Sequence, residues 1–348
     1  MDKNGKTIKV GVCMPTTRED QIVNFLDKWI PIWKESHYQI NIYVHADKPN
    51  KIFNEGRYYN EMPIKHTCHK DIELELKDDA WIIPQNSGAC RSFPMLLAYK
   101  DGCDFIITLD DDCLPTTTTV DNFINSHIEA FSRNRWYSTI DGELPRGVPY
   151  TDLGKLKVCL NHGLWENIPD LDGPTSLVNI RHKKDIFLKD KTDVVPPGMY
   201  FPLCAMNVCY SRQILPAAYN LLMGLEKYGL DRFDDIWSGI LIKKIADGLG
   251  LYITNGKPFI NHTKASNYFI NTKKEIEGIR LNEEFWGYID NVGLKSKDVV
   301  GCYLELANAI GNFKPSFVTP SLPQDYFGLL DRAMKSWIKN LELGPSKW

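Results

Sequence analysis

Apolar residues near the start of the chain form a short continuous run and then a helical pattern. The run from Ile8 to Pro15 (IKVGVCMP) is typical of a buried strand. The segment DQIVNFLDKWI then spaces apolar residues at i, i+3, i+4, i+7 and i+8, which is one face of a helix. These residues are Ile22, Phe25, Leu26, Trp29 and Ile30. The pattern predicts a βα unit.

The same alternation continues as far as the fourth predicted strand. QINIYVHAD predicts a second strand, AWIIP a third, SFPMLLAYK a short helix and CDFIITLD a fourth strand. Strands that alternate with helices are typical of an open, mainly parallel α/β sheet, and ligands bind such sheets beyond the carboxyl ends of the strands. The sequence therefore predicts a ligand site at that edge.

Three consecutive aspartates, Asp110, Asp111 and Asp112, follow the fourth predicted strand in FIITLDDDCLP. Adjacent carboxylates repel one another, and their desolvation is costly unless a positive charge is held there. Mg²⁺ or Mn²⁺ suits this arrangement, because these ions take carboxylate oxygens and complete their coordination with substrate phosphates. The run predicts a divalent cation site, and an acidic loop solvated by water is the alternative.

Composition and charge narrow the class of protein. The 348 residues carry 41 Lys and Arg against 44 Asp and Glu, a formal net charge of −3, so no overall field would attract nucleic acid or an anionic membrane. The sequence has no apolar stretch of the length that a signal peptide or membrane span requires. Its nine cysteines lack CxxC or framework spacing, and we expect reduced thiols. A soluble, cytoplasmic protein is expected.

Two enzyme classes that place aspartates at a strand end do not fit. A haloacid-dehalogenase phosphatase needs DxDx[TV] on its first strand, whereas Leu114 occupies the last of these positions here. A sugar nucleotidylyltransferase needs a glycine-rich loop after strand one, whereas this chain has CMPTTRED. Nucleotide-sugar glycosyltransferases with a DxD metal site remain.

Five stretches carry a resemblance to a known family. They are SGACRSFPMLLAYKDGCDFIITLDDDCLP, HGLWENIPDLDGPTSLV, PLCAMNVCYSRQILPAAYNLLMG, RFDDIWSGILIKKIADGLG and NHTKASNYFINTKKE. In order and style they resemble the reversibly glycosylated polypeptide family, the UDP-arabinopyranose mutases, from about Val10 to about Trp286. The resemblance implies a GT-A-like α/β domain, which we place at residues 1–320, with a mixed, mainly parallel nucleotide-binding sheet flanked by helices.

The resemblance also implies an activity. Family members interconvert the pyranose and furanose forms of UDP-arabinose, use Mn²⁺ or Mg²⁺, and transiently glycosylate themselves on an arginine. By resemblance that arginine is Arg146 in RGVPY, sixteen residues before His162 of HGLW, and a second arginine usual in plant members is replaced by Leu153. The alternatives are a transferase of the same fold that uses an external acceptor, and a nucleotide-sugar-binding scaffold without activity.

Several site residues follow from the motifs for the nucleotide and the metal. Arg91, in the turn SGACRS, suits a diphosphate, because a guanidinium matches phosphate oxygens bidentately. Asp47 suits the uracil or ribose, although Ala46 stands where the family has its first aspartate. The DxD spacing assigns Asp110 and Asp112 to nucleotide and metal. The remaining nucleotide candidates are Pro15, Thr16 and Arg18 at the end of strand one.

The sugar and leaving-group candidates come from later motifs. His262 in NHTKASN is expected to complete the metal site, with Lys264 beside the leaving group. Asp111 is expected to face the sugar. Asp234 or Asp235 is expected at the N-cap of a helix, and the alternative for Asp235 is contact with the substrate. His162 and Trp165 either shape the sugar pocket or pack in the core.

The C-terminal segment, residues 321–348, predicts a helical tail. DYFGLLDRAMKSWIKNLEL places apolar residues along one helical stripe after Asp325. They are Tyr326, Leu330, Met334, Trp337 and Leu341. This stripe either packs on the parent domain or pairs with a second subunit in a homo-oligomer.

Overall fold

The structure is a computed structural model. It describes residues 7–58, 60–116, 122–137, 143–144, 146–182, 191–263, 267–316 and 325–342. The strands in these ranges are β1 Lys9–Thr16, β2 Gln39–Ala46, β3 Ile64–Thr67, β4 Phe105–Leu109, β5 Cys113–Leu114, β6 Val158–Asn167, β7 Asp193–Val195, β8 Asn207–Ser211 and β9 Tyr252–His262.

The helices surround this sheet. They are α1 Glu19–Lys34, α2 His69–Leu76, α3 Ser92–Lys100, α4 Phe123–Glu129, α5 Gly173–His182, α6 Asp234–Gly248, α7 Tyr268–Asp290, α8 Val299–Gly311 and α9 Tyr326–Glu342. Among the described residues, no helix is long and apolar enough to cross a membrane.

One mixed sheet organises the molecule, in the order β3-β2-β1-β4-β8-β6-β9-β5, and β7 pairs with β9. β1 is parallel to β2 and to β4, β2 is parallel to β3, and β6 is parallel to β9. β8 is antiparallel to both β4 and β6. The two reversals cancel, so β6 and β9 run in the same direction as β4. The α/β class and the GT-A-like arrangement of a mixed sheet, flanking helices and a C-terminal helix are confirmed.

The direction of the strands defines two edges of the sheet. The carboxyl edge carries Thr16, Asp110, Asn167 and His262, which end or directly follow β1, β4, β6 and β9. The opposite amino edge carries the first residues of the same strands. β5 brings the acidic run back to β9, because Cys113 pairs with His262. The predicted ligand edge is therefore the edge where the aspartates lie.

Most of the predicted elements of the first hundred residues are present. The predicted α1 face is buried, and α3 begins and ends where its segment was predicted. The strand predicted for AWIIP is wrong, because Lys77–Ile82 form a 3₁₀ helix in which Trp81 is half-exposed. The third strand is instead β3, in which the apolar Ile64 is followed by three polar residues. A four-residue run next to Pro84 does not distinguish a strand from a buried turn.

Apolar side chains fill both faces of the sheet. On one face α1 and α4 cover it, and Trp29 stacks on Trp33 with ring centroids 5.2 Å apart. On the other face α3, α6, α8 and α9 share a second cluster, in which Trp237 stacks on Phe285 at 3.9 Å. The two clusters hold the sheet rigid on both sides and leave its carboxyl edge open.

Helix α9 packs on its own chain. The whole predicted stripe from Tyr326 to Leu341 is buried in the second cluster beside α8. Trp337 stacks on Tyr219 with centroids 5.5 Å apart and donates its indole N–H to the Pro216 carbonyl at 3.0 Å. The C-terminal stripe is thus part of the core, as the docked alternative predicted.

Replacing Trp337 with alanine should lower the free energy of unfolding by about 3–5 kcal/mol, because it leaves a large cavity in a closed core. Urea unfolding followed by circular dichroism measures this loss. Trp286→Ala is the matched control: Trp286 is 45% exposed on α7, and its removal should cost about 1 kcal/mol or less. Equal losses for the two variants would contradict the packing described for α9.

Candidate functional site

A cleft of about 450 Å³ opens at the carboxyl edge of the sheet. The side chains that the sequence singled out and that line it follow β1, β2 and β4, end β9, begin α6 or lie in the turn before α3. They are Arg18, Asp47, Arg91, Asp110, Asp112, Asp235 and His262. Residues far apart in sequence therefore meet in one cavity, as strand-end logic predicts.

Asp110 is paired with Arg91. The Arg91 guanidinium, at the end of the 3₁₀ turn Gly88–Arg91, donates to an Asp110 carboxylate oxygen. Burial alone would raise the pKa of Asp110, but the charge and hydrogen bond of Arg91 outweigh it, so this pKa lies below its ordinary value. For Arg91, burial lowers the pKa and Asp110 more than compensates. Both groups are thus charged at neutral pH.

Asp111 faces away from the cleft, into the end of β1. Its carboxylate accepts a hydrogen bond from the Thr16 hydroxyl at 2.6 Å and is ion-paired with Arg18. Burial raises the pKa of Asp111, while Arg18 and Thr16 oppose the rise without cancelling it. Asp111 therefore anchors Arg18 at the rim of the cleft, and the sugar-facing role expected for it is not supported by its position.

Asp112 and His262 face each other. The His262 Nε2 atom lies 3.9 Å from an Asp112 carboxylate oxygen, and its Nδ1 atom lies 2.7 Å from the Ile168 carbonyl. A carbonyl only accepts, so Nδ1 carries a proton, and Nε2 faces Asp112. Burial, followed by the charge of Asp110, raises the pKa of Asp112. A carboxylate oxygen and an imidazole nitrogen are both ligand types that Mn²⁺ accepts.

The predicted cation ligands are not gathered around one point. Across the described residues, no group of three or more His, Cys, Asp and Glu side chains is arranged to hold a metal ion. One Asp110 oxygen accepts from Arg91, and Asp112 and His262 lie within 3.9 Å of each other. The donor set of carboxylate oxygens and an imidazole still fits Mn²⁺ or Mg²⁺, which take remaining ligands from phosphate and water.

Two aspartates begin helix α6 on the far wall of the cleft. The N-cap residue is Phe233, so the predicted capping by Asp234 or Asp235 is wrong. Asp235 accepts the Ala205 backbone N–H at 3.0 Å, and burial followed by the charge of Asp234 raises its pKa to about 7. A carboxyl poised near neutral pH inside a cleft is suited to proton transfer.

Asp47 lines the cleft and is only partly satisfied by hydrogen bonds. One carboxylate oxygen accepts the Asn86 backbone N–H at 2.9 Å, and the other is buried without a partner among the described residues. Burial raises the pKa of Asp47, which the Asn86 bond partly opposes. An unpaired buried oxygen costs free energy. A ligand N–H or hydroxyl would satisfy it, which matches the expected role of Asp47.

Several predicted residues do not line the cleft. His162 and Trp165 lie on β6 and pack edge-to-face with ring centroids 5.6 Å apart. Of the two alternatives for this pair, packing in the core agrees with these positions and lining the sugar pocket does not. Pro15 and Thr16 lie at the end of β1 behind the lining. Arg146 is exposed on a turn outside it. Lys264 lies outside the described residues.

Sequence reasoning did not single out other residues that line the cleft. They are Asn86, Ser87, Gly88, Asp170, Cys204, Met206, Asp231, Arg232 and Lys274. Most of them stand inside the quoted family stretches, which was the available signal. Gly88 is required by close approach, because a Cβ there would overlap the Asp234 carboxylate. Arg232 adopts a positive φ of 63° and is held by Glu275 at 2.9 Å, a strained backbone typical of ligand sites.

Comparison with known proteins decides the family. The sequence profile described as "Reversibly glycosylated polypeptide" matches residues 6–343. The chain belongs to this family. The resemblance predicted from its motifs is thereby confirmed over nearly the whole chain.

Relatives in the family are similar along their full length. The chain is 34% identical to "Probable UDP-arabinopyranose mutase 2" of Solanum tuberosum, over 97% of this chain and 91% of the relative. It is 33% identical to "UDP-arabinopyranose mutase 1" of Arabidopsis thaliana, over 97% and 93%. Among solved structures, glucosyl-3-phosphoglycerate synthase of Mycobacterium tuberculosis, in complex with Mn²⁺, UDP-glucose and phosphoglyceric acid, matches with a TM-score of 0.43 and 15% identity over 80% of each chain.

The raised pKa of Asp235 should make its contribution to stability depend on pH. Its native pKa of about 7 exceeds the ordinary 3.8, so its protonated form stabilises the fold fully below about pH 4, and this contribution is lost as pH rises through 7. The stability of Asp235→Asn relative to the unaltered protein should therefore increase between about pH 4.5 and about pH 8. Urea unfolding at both pH values measures the difference, and an unchanged difference would contradict a raised pKa.

Proposed function

We propose that this family member is a UDP-sugar enzyme of the UDP-arabinopyranose mutase type, which interconverts pyranose and furanose forms of a UDP-pentose with the help of a divalent cation and transient glycosylation of Arg146. The observation that carries the proposal is the cleft, where residues of the family stretches meet at one edge of the sheet. Full-length relatives are named UDP-arabinopyranose mutases, which supports this substrate class.

The nucleotide would lie between Asp47 and Arg91. The unpaired Asp47 oxygen suits the N3–H of uracil or a ribose hydroxyl. Arg91 and Arg18, each already oriented by an aspartate, would donate to the diphosphate. Prior pairing of both guanidinium groups reduces the entropy lost when the ligand binds.

The charge balance of the cleft supports a cation. Its carboxylates, Asp47, Asp110, Asp112, Asp170, Asp231, Asp234 and Asp235, outnumber its cations, Arg18, Arg91, Arg232 and Lys274. A diphosphate brings further negative charge, so binding needs positive charge that these side chains do not supply. Asp110, Asp112 and the His262 Nε2 atom would hold Mn²⁺ or Mg²⁺. Once bound, the ion would neutralise the departing diphosphate.

Different side chains of the protein would assist different steps of the reaction. Cleavage of the bond between the anomeric carbon and phosphate leaves negative charge on UDP, which Arg91 would stabilise. Positive charge develops on the sugar, and Asp235 in the far wall would stabilise it and accept a proton. Arg146 would hold the sugar while its ring opens and recloses. Lys264 would also stabilise the negative charge of the leaving group.

A transferase with an external acceptor is the second candidate. The observation that favours it is the exposed position of Arg146 outside the cleft. If Arg146 never enters a cleft, the sugar needs another acceptor.

The deciding experiment incubates the protein with a panel of UDP-sugars and Mn²⁺, and records nucleotide-sugar products by chromatography and the intact protein by mass spectrometry. A UDP-furanose product is expected, together with a pentose adduct that Arg146→Ala abolishes. Free UDP and sugar without rearrangement or adduct would favour the transferase. Failure to bind any UDP-sugar would overturn both candidates.

Asp112→Asn should weaken UDP binding in Mn²⁺ by about tenfold or more, because one ligand of the cation is lost. Isothermal titration with UDP in Mn²⁺ and in EDTA measures this. In EDTA the variant and the unaltered protein should bind UDP with similar, weaker affinity. Asp20→Asn, at an exposed position of α1, is the charge-matched control and should leave both affinities unchanged. Equal weakening in EDTA would argue against a cation at Asp112.

A further inference from the structure

Arg146 and the cleft belong to opposite edges of the sheet. The segment that carries Arg146 enters β6 at Val158, which pairs with Tyr252 at the start of β9. At the other end of the same ladder Asn167 pairs with His262, which lines the cleft. Because β6 and β9 are parallel, the segment begins at the amino edge and the cleft lies at the carboxyl edge.

The amino-edge position has independent support from the other end of the segment. Phe131, just before it, packs edge-to-face on Phe105 with ring centroids 4.8 Å apart. Phe105 is the first residue of β4, whereas Asp110 follows the last. Both ends of the segment are therefore fixed at the edge away from the aspartates.

The base of the segment is closed by backbone contacts. Asn134 and Lys155 form an antiparallel bridge, and the Leu156 N–H donates to the Arg133 carbonyl at 2.9 Å. Arg146 is nine residues from Lys155, a reach of about 30 Å at full extension. The nine steps of β6 from Val158 to Asn167 also span about 30 Å. The backbone between Lys155 and Arg146 would have to be almost fully extended for Arg146 to reach the cleft of its own chain.

Exposed side chains suit the segment for contact with another molecule. Tyr137 and Tyr150 flank Arg146 in sequence, and both are almost fully exposed. Beside the cleft, Phe269 and Ile270 are exposed in the first turn of α7, the helix that also brings Lys274 to the cleft wall. The excess of carboxylates on the cleft wall complements the charge of a guanidinium.

We propose that the acceptor arginine comes from a second copy of this chain: Arg146 of one copy enters the cleft of the other, so that the self-glycosylation proposed above occurs between chains. The inference rests on that proposed function. In the step, a guanidinium nitrogen of Arg146 forms a bond to the anomeric carbon, and the bond from that carbon to the diphosphate breaks. UDP leaves with the electron pair, and Asp235 of the copy that holds UDP takes the proton lost by the guanidinium.

The test uses two altered copies produced together in one cell, so that mixed assemblies form even if subunits do not exchange later. One copy carries Asp112→Asn and keeps Arg146, and the other carries Arg146→Ala and keeps its cleft. A tag on one copy separates their masses. After incubation with the UDP-sugar and Mn²⁺, intact-protein mass spectrometry should show the sugar on the Asp112→Asn copy, at about ten times or more the level that this copy reaches alone.

The outcomes separate this inference from the proposed function. If the unaltered protein forms an adduct and the mixture forms none, transfer occurs within one chain and the inference is wrong. If the unaltered protein forms no adduct at all, self-glycosylation itself fails, while the UDP-furanose product still tests the mutase activity. Should Asp112→Asn not fold, as judged by circular dichroism, His262→Gln replaces it as the cleft-deficient copy.

A second variant tests the contact itself. Tyr150→Ser removes an exposed ring near Arg146 and should slow adduct formation several-fold, while UDP affinity stays within about twofold because Tyr150 is outside the cleft. Trp286→Ala, which removes a partly exposed ring elsewhere on the surface, is the matched control and should leave the rate unchanged. A Tyr150→Ser rate equal to the control rate would mean that the aromatic flank is not part of the contact.

Discussion

The site depends on how the three strand-end carboxylates are compensated. A buried carboxylate costs several kcal/mol unless a charge or hydrogen bonds match it. Asp110 is matched by Arg91 and Asp111 by Arg18, and each arginine is in turn fixed at the rim of the cleft. Asp112 is less closely paired, because the Arg18 guanidinium lies 3.8 Å from an Asp112 carboxylate oxygen. Asp112 is therefore less well compensated than its two neighbours, and it is the carboxylate of the run that the proposed cation would neutralise.

A second network of buried polar side chains joins helix α4 to three strands of the sheet. The His127 ring lies between two amides: it accepts from the Asn161 side chain at 2.8 Å, and its Nε2–H donates to the Asn207 side chain at 3.0 Å. Thr254 donates to the other end of Asn161 at 2.7 Å. Burial lowers the pKa of His127 to about 3, so the ring is neutral and has the one donor and one acceptor that this network needs. Helix α4 is thereby tied to β6, β8 and β9, and β9 carries His262.

Sequence reasoning predicted the parts of the fold where one physical signal dominates. The spacing of Ile22, Phe25 and Trp29 predicts α1, since it matches the helical period, and the strand-end rule correctly brought Asp110, Arg91 and His262 together. It failed for AWIIP, because a short apolar run has no period to read. It also left out walls of the cleft such as Asp170 and Arg232, because their role comes from the packing of α5 to α7 and not from a local pattern.

The distance between Arg146 and the cleft matters for the chemistry of an arginine acceptor. A guanidinium keeps its proton throughout the physiological range, and beside Asp234 and Asp235 it would form an ion pair that suppresses attack. An arginine resident in an empty cleft would thus be both bound and protonated. In the proposed reaction, one that arrives from outside would meet a cleft whose carboxylates already face the UDP-sugar and the proposed cation. Asp235, whose pKa of about 7 leaves it able to accept a proton near neutrality, is then the base in reach. Keeping the acceptor at the other edge of the sheet therefore favours an ordered reaction, in which the substrate binds before the nucleophile.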